Sequence, residues 1–169
     1  MHIRRARTED AAAACVVIRR SIAELCHADH GGDEIYLGKW LSNKTVENVE
    51  RWIMQSYFVV AEEAGTILGI AAMNDTGRIT LNYVSPHARF RGVSKALMQQ
   101  LEAQARTLGL GECMLETTQT ALRFYSSLGY VKSEETYPLS LTGSRARVFR
   151  KKLAGSSTNP PPASAGLNP

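Results

Sequence analysis

Apolar positions along the chain alternate with two different periods, and the switches between them mark out the elements. His2 to Ala6 reads as a short opening strand. Thr8 suits a helix N-cap, with Glu9 and Asp10 in the first turn, where negative charge is favoured. Ala14, Val17, Ile18, Ser21, Ile22 and Leu25 then recur at three- and four-residue steps, one face of a helix that Gly31-Gly32 breaks. A second helical piece surrounds Tyr36 to Leu41. Thr45 caps a third, in which Val46, Val49, Trp52 and Ile53 share a face.

Strand patterns follow at Tyr57 to Glu62, Ile67 to Met73 and Arg78 to Val84, separated by turns at Ala64-Gly65 and Asp75-Thr76-Gly77. The next helix puts Leu97, Leu101, Ala105 and Leu108 on one face and stops at Gly109. Glu112 to Thr117 is a further strand; a helix joins it to its predecessor, so the two lie parallel. Thr118 to Leu128 reads as a helix closed by Gly129. Two final strands, near 130–141 and 146–153, turn around Thr142-Gly143-Ser144. Hairpins on both sides of one βαβ unit make an α/β domain with a mixed sheet.

Composition narrows the picture. One domain is expected from 169 residues with a 44% hydrophobic share. Residues 155–169 hold four of the six prolines and no charged side chain, so a domain at 1–153 and a flexible tail at 154–169 are expected. No apolar run reaches membrane-spanning length, and Met1-His2-Ile3-Arg4-Arg5 lacks the apolar stretch of a secretion signal. The expectation is a cytoplasmic protein with no membrane partner. Cys15, Cys26 and Cys113 have no zinc-type spacing and read as buried thiols, and no metal is expected. His27-Ala28-Asp29-His30 with Asp33 and Glu34 reads as a polar, solvated connection rather than a metal site. The net charge of +4 is spread over small groups without interleaved aromatics, which argues against a nucleic-acid partner.

Candidate chemistry concentrates in Val84-Ser85-Pro86-His87-Ala88-Arg89-Phe90-Arg91-Gly92-Val93-Ser94-Lys95-Ala96-Leu97. This is a strand, a basic turn with one glycine, and an amphipathic helix. The start of such a helix offers unpaired N–H groups and a positive dipole end, which together suit a phosphate. Gly92 permits unusual backbone angles, and Arg89, Arg91 and Lys95 add positive charge. Downstream lies Ala121-Leu122-Arg123-Phe124-Tyr125-Ser126-Ser127-Leu128-Gly129-Tyr130.

Together these two segments resemble the GNAT superfamily of acetyl-CoA-dependent N-acetyltransferases. The family's cofactor motif (Arg or Gln, two residues, Gly, one residue, Gly or Ala) is matched by Arg89-Phe90-Arg91-Gly92-Val93-Ser94, with Ser94 departing at the last position. The resemblance spans roughly residues 1–153 and implies a sheet of about six to seven strands with a splayed parallel pair, flanked by about four helices. It implies acetyl-CoA as co-substrate, with the backbone at Tyr83 and Val84 pairing with the pantetheine arm. The N–H groups from Phe90 through Val93 and Ser94 to Lys95 would hold the diphosphate. It makes Tyr125 both a cofactor contact and the general acid toward sulfur, a role that a phenol with pKa about 10 can fill. The acceptor would be a primary amine of a small molecule, peptide or protein, with loops at 26–45 and the final hairpin shaping its pocket, and Asp29, Asp33 and Glu34, in the loop that borders the acceptor site in the family, would attract a cationic amine. Dimerisation is common in the family and compatible with this chain. No base is assigned: Glu116 and His87 are near, and the strand start Arg78-Ile79-Thr80 lacks the glutamate some members carry. The alternative function is a non-catalytic acyl-CoA-binding regulatory module.

Overall fold

A computed structural model of the chain describes residues 1–134 and 147–154. Elements follow in the order β1 (His2–Arg5), α1 (Ala11–Leu25), α2 (His27–His30), α3 (Glu34–Leu41), α4 (Val46–Gln55), β2 (Tyr57–Glu63), β3 (Thr66–Met73) and β4 (Arg78–Val84). Then come α5 (Val93–Thr107), β5 (Glu112–Thr117), α6 (Leu122–Ser127), β6 (Val131–Lys132) and β7 (Arg147–Lys152). The strands form one seven-stranded sheet in the order β1-β2-β3-β4-β5-β7-β6. Every neighbouring pair is antiparallel except β4 and β5, which are parallel across the α5 crossover, as the helix-joined pattern requires. The mixed α/β sheet with its parallel pair is therefore present.

Two apolar layers sandwich the sheet. On one face α5 and α6 bury Val93, Leu97, Leu101 and Tyr125 against β2–β5 and β7. On the other, α1 and α4 bury Ile18, Ile22, Val49 and Ile53 against Phe58, Val60 and Ile70. Strand β3 has both faces covered and is buried from Ile67 to Met73, which accounts for its nearly unbroken apolar run.

Several local expectations are corrected. Thr8 is not a cap: Thr8–Asp10 form a 3₁₀ turn, and the Asp10 carboxylate accepts the Arg7 N–H at 2.7 Å. Arg4 fixes Asp10 there, donating to it at 2.7 Å and to Glu62 at 2.6 Å, and this holds the Asp10 carboxyl below its ordinary pKa. Leu108 is half exposed. The chain turns through Gly109 (φ 73°), the Leu110 N–H bonds the Ala105 carbonyl at 2.9 Å, and Leu110 rather than Leu108 packs on the core. The helix expected from Thr118 begins only at Leu122. The described residues contain six α-helices, of which α2 is a single turn in the connection after α1. Thr45 does cap α4, accepting the Asn48 N–H at 3.3 Å. Of the final hairpin, Val131–Lys132 and Arg147–Lys152 are strands; its turn at 142–144 and the tail from 155 lie outside the described residues.

Gly69 of β3 lies beneath the start of α5. A Cβ there would sit 2.7 Å from Val93 Cγ1 and 3.0 Å from the Tyr83 carbonyl oxygen, and the buried β-branched Val93 has nowhere to swing. Gly69→Ala is expected to destabilise the protein by about 1–3 kcal/mol in denaturant titration, the usual cost of overpacking. Gly38→Ala on α3, where nothing lies within 4 Å, should be neutral or stabilising through helix propensity.

Candidate functional site

The parallel pairing of β4 with β5 consists of only two residue pairs, Arg78 with Met114 and Ile79 with Leu115. At that point β4 carries a bulge. Ala72 of β3 pairs with Leu81 and Met73 with Ile79, so Thr80 is the extra residue. A bulge bends its strand and increases the local twist. Here it turns β4 away from β5, and among the described residues the strand from Leu81 to Val84 has a neighbour, β3, on one edge only. A cavity of about 440 Å³ occupies the gap. It reaches the walls of both apolar layers: Tyr125, Phe124 and Ala88 from the α5 and α6 side, and Leu25, Cys26 and Trp40 from the α1 side.

The basic turn closes one end. After a short 3₁₀ turn at Pro86–Ala88, Phe90 (φ 60°) and Gly92 (φ 78°) both take left-handed backbone angles. Such angles are costly for phenylalanine, and strain of this kind gathers at binding and switch regions. The Phe90 ring is 94% exposed, with the Arg89 guanidinium stacked 4.7 Å from its centre. Gly92 caps α5 with no side-chain hydrogen bond, so the first N–H groups of the helix, through Val93, Ser94 and Lys95, have no partner among the described residues. Arg89, Phe90, Gly92, Val93, Ser94 and Lys95 all line the cavity. Arg91 does not. Its guanidinium pairs with Glu63 at 2.7 Å, drawn to the β2–β3 hairpin, and in return holds the Glu63 carboxyl below its ordinary pKa.

Deeper in the gap, the structure brings Tyr83, Val84 and Tyr125 to the same cavity. Tyr125 is buried, edge-on to Phe124 and Tyr130 with ring centres 5.1 and 5.9 Å away, so the hydroxyl is its only polar freedom. Its phenol oxygen accepts a hydrogen bond from Asn82 Nδ2 at 3.3 Å. Burial pushes the Tyr125 pKa up to about 12, against the lowering effect of Asn82, and the phenol stays protonated at neutral pH. Burial likewise raises the Tyr83 phenol on the opposite face, with Trp40 beside it working the other way.

The acidic residues of the 26–45 connection do not line the cavity. Asp29 accepts the backbone N–H groups of Gln119 at 2.6 Å and Thr120 at 3.2 Å, and the Thr120 hydroxyl as well. It thereby pins the loop that would otherwise extend α6 back to Thr118. Asp33 caps α3 through the Tyr36 N–H at 2.9 Å. Two of the three carboxylates expected to attract a cation, Asp29 and Asp33, are thus engaged in local structure. Glu116 is the carboxylate that does line the cavity, and it is ion-paired with Arg78. His87 is exposed and contacts Arg20 at 3.2 Å. Cys26 faces the cavity as a thiol pushed up to about 12 by burial and by Asp29, far from a reactive thiolate. Sequence reasoning missed Asn82, Trp40 and Leu25. The signal for Asn82 was a polar amide late in the Ile79–Val84 stretch, where Thr80 is the other polar residue without a ring.

The family model for the GNAT acetyltransferase domain matches residues 26–138. The chain is 30% identical over 113 residues to a mycothiol acetyltransferase of Thermobispora bispora, covering 56% of this chain and 37% of that protein. It thus spans little more than a third of that relative's length. Among solved structures, a GCN5-related N-acetyltransferase from Rhodopseudomonas palustris superposes with a TM-score of 0.80 at 22% identity, covering 90% of this chain and 95% of that one. The PaiA N-acetyltransferase of Thermoplasma acidophilum, solved in complex with coenzyme A, gives 0.74 at 20% identity, covering 89% and 98%.

Asp29→Ala removes three hydrogen bonds to an ionised acceptor, each worth about 1.5–3 kcal/mol at most and less at this exposed site. A lower melting temperature and faster amide exchange at Gln119 and Thr120 are expected, whereas Glu34→Gln should change neither.

Proposed function

The chain belongs to the GNAT acetyltransferase family, and on that premise we propose that it transfers the acetyl group of acetyl-CoA to the nitrogen of a primary amine within a ternary complex. One observation carries this reading. A single gap runs from a helix start with unpartnered N–H groups, along a strand edge without a neighbour, to a buried and protonated phenol. Each part suits one part of the co-substrate. Diphosphate oxygens fit the N–H groups from Gly92 to Lys95, with Arg89 and Lys95 supplying charge. The amide-bearing pantetheine arm fits the free edge of β4 at Tyr83 and Val84, in the manner of an added strand. The thioester then lies beside Tyr125.

In the reaction the amine lone pair attacks the thioester carbonyl carbon, and the C–S bond breaks as the amide C–N bond forms. Tyr125 donates its proton to the departing sulfur, and the proton lost by the nitrogen restores the phenol through water. The acceptor enters from the α1 side, where Leu25, Cys26, Trp40 and Tyr83 form an apolar and aromatic wall. That wall favours an amine bearing an apolar or aromatic group over a polycation. Burial beside it lowers the amine pKa and supplies the neutral nucleophile. The catalytic domain is assigned to residues 1–153 with 154–169 as a tail, and three free, buried thiols fit the reducing cytoplasm.

Calorimetry with acetyl-CoA should give saturable binding that Gly92→Glu abolishes, because the change adds a carboxylate and forces a side chain onto a left-handed residue. No binding to the native protein would overturn the proposal; binding without turnover of any amine would leave an acyl-CoA-binding module. With a panel running from phenethylamine to spermidine, the aromatic amines are expected to turn over faster. Tyr125→Phe should lower kcat roughly 10²–10⁴-fold, the usual contribution of a general acid, and leave acetyl-CoA affinity unchanged.

A further inference from the structure

We propose that Asn82 is the positioning residue of the acid: its side-chain amide fixes the Tyr125 hydroxyl so that the phenol proton points into the gap. The inference rests on the acetyl-transfer reading and extends it to a residue on the facing strand. Asn82 sits on β4 opposite Ala71 of β3, two residues past the Thr80 bulge. Its Nδ2 donates to the Tyr125 oxygen at 3.3 Å. An amide N–H can only donate, so the phenol oxygen is the acceptor in this bond. The hydroxyl proton is then free to be given elsewhere. The ring itself is locked between Phe124 and Tyr130, which leaves rotation about the C–O bond as the motion that decides where the proton goes.

The other end of the same side chain argues that this bond is not there for stability. Asn82 Oδ1 is buried and has no hydrogen-bond partner among the described residues, and its neighbours Leu81 and Tyr83 pack into the apolar layer on the opposite face. A buried amide with one long hydrogen bond and one orphaned oxygen is a poor contributor to folding, and an apolar side chain of similar size would remove the orphan. The residue also acts on the acid's strength, because its hydrogen bond opposes the upward push of burial on the Tyr125 pKa. Asn82 thus supplies both direction and acidity to a group on another element.

The test is a double-mutant cycle read by release of the CoA thiol from acetyl-CoA, with phenethylamine as the acceptor probe and water as the acceptor in its absence. Asn82→Leu is expected to lower kcat by about tenfold or more, a share of the 10²–10⁴ typical of a general acid. KM for acetyl-CoA should stay within about twofold, and the melting temperature should be unchanged or higher. In a Tyr125→Phe background the same substitution should have no further effect on kcat, since no proton remains to be directed. Asn82→Asp keeps the shape but, when ionised, only accepts. The phenol proton then turns onto the carboxylate, and kcat should fall at least as far as in Asn82→Leu.

An equal loss in both backgrounds, or a loss of kcat that follows a lowered melting temperature, would overturn the proposal and leave Asn82 a packing residue. The two levels of inference fail differently. A silent Tyr125→Phe removes the acid itself, whereas a damaging Tyr125→Phe with a silent Asn82→Leu removes only the role of Asn82.

Discussion

The site depends on how briefly β4 and β5 stay together. Parallel strands with a helical crossover normally pair along their length, and their hydrogen bonds hold the sheet closed. Here pairing ends after two residues, because Thr80 adds one position to β4 that β3 cannot match. The bend leaves polar backbone on the β4 edge with no strand to satisfy it. Interior polar groups of that kind are expensive unless something pairs with them. Among the described residues the gap is therefore a vacant strand position, which is what the proposed pairing with an amide-bearing ligand would use.

Keeping such a gap open takes support on both sides. Gly69 allows the first turn of α5 to approach the sheet closely, which sets the basic turn at the end of β4 rather than above it. The strained angles at Phe90 and Gly92 then aim the chain into the helix. On the far side, Asp29 ties α2 to the loop before α6, so the segment carrying Tyr125 is held by a residue ninety positions earlier in sequence. Arg4 performs a similar service for the start of α1 through Asp10 and Glu62. These contacts link the ends of elements whose middles are fixed by apolar packing.

The difference between ends and middles also explains what could be read from the sequence. The bounds of β4 and β5 were legible to the residue, because a half- or fully buried strand shows its period directly, and a helix-linked pair of strands has one preferred sense. The Arg89–Ser94 turn was legible as a local signal. Arg91 was read there as a cofactor contact; in the fold its guanidinium pairs with Glu63 of the β2–β3 hairpin, and periodicity carries no information on such pairs. For the same reason Asp29 and Asp33 looked available for a ligand when each was already holding backbone N–H groups. The Thr80 bulge left no trace in the alternation of Arg78–Val84, although it moves Asn82 onto the Tyr125 side of the sheet. Tyr125 itself was visible through its spacing, but Asn82 required the fold.

The acid–base balance in the gap shows why a neighbour to Tyr125 matters. A free thiol has a pKa of about 8.5, and Tyr125 stands at about 12. Taken alone, a gap of 3 to 4 units would make complete proton transfer to the thiolate uphill by roughly 5 kcal/mol. Burial acts on both groups, however. The desolvation that raises the phenol also disfavours a thiolate leaving into the same apolar gap, as it does for Cys26 in the wall. The two shifts have the same sign, which would narrow the difference between acid and leaving group in the proposed reaction. As that difference narrows, a single hydrogen bond that stabilises the phenolate counts for more, and Asn82 makes that bond. In the proposed reaction, burial in the gap would act twice, by raising the nucleophile's share of neutral amine and by disfavouring the departing thiolate.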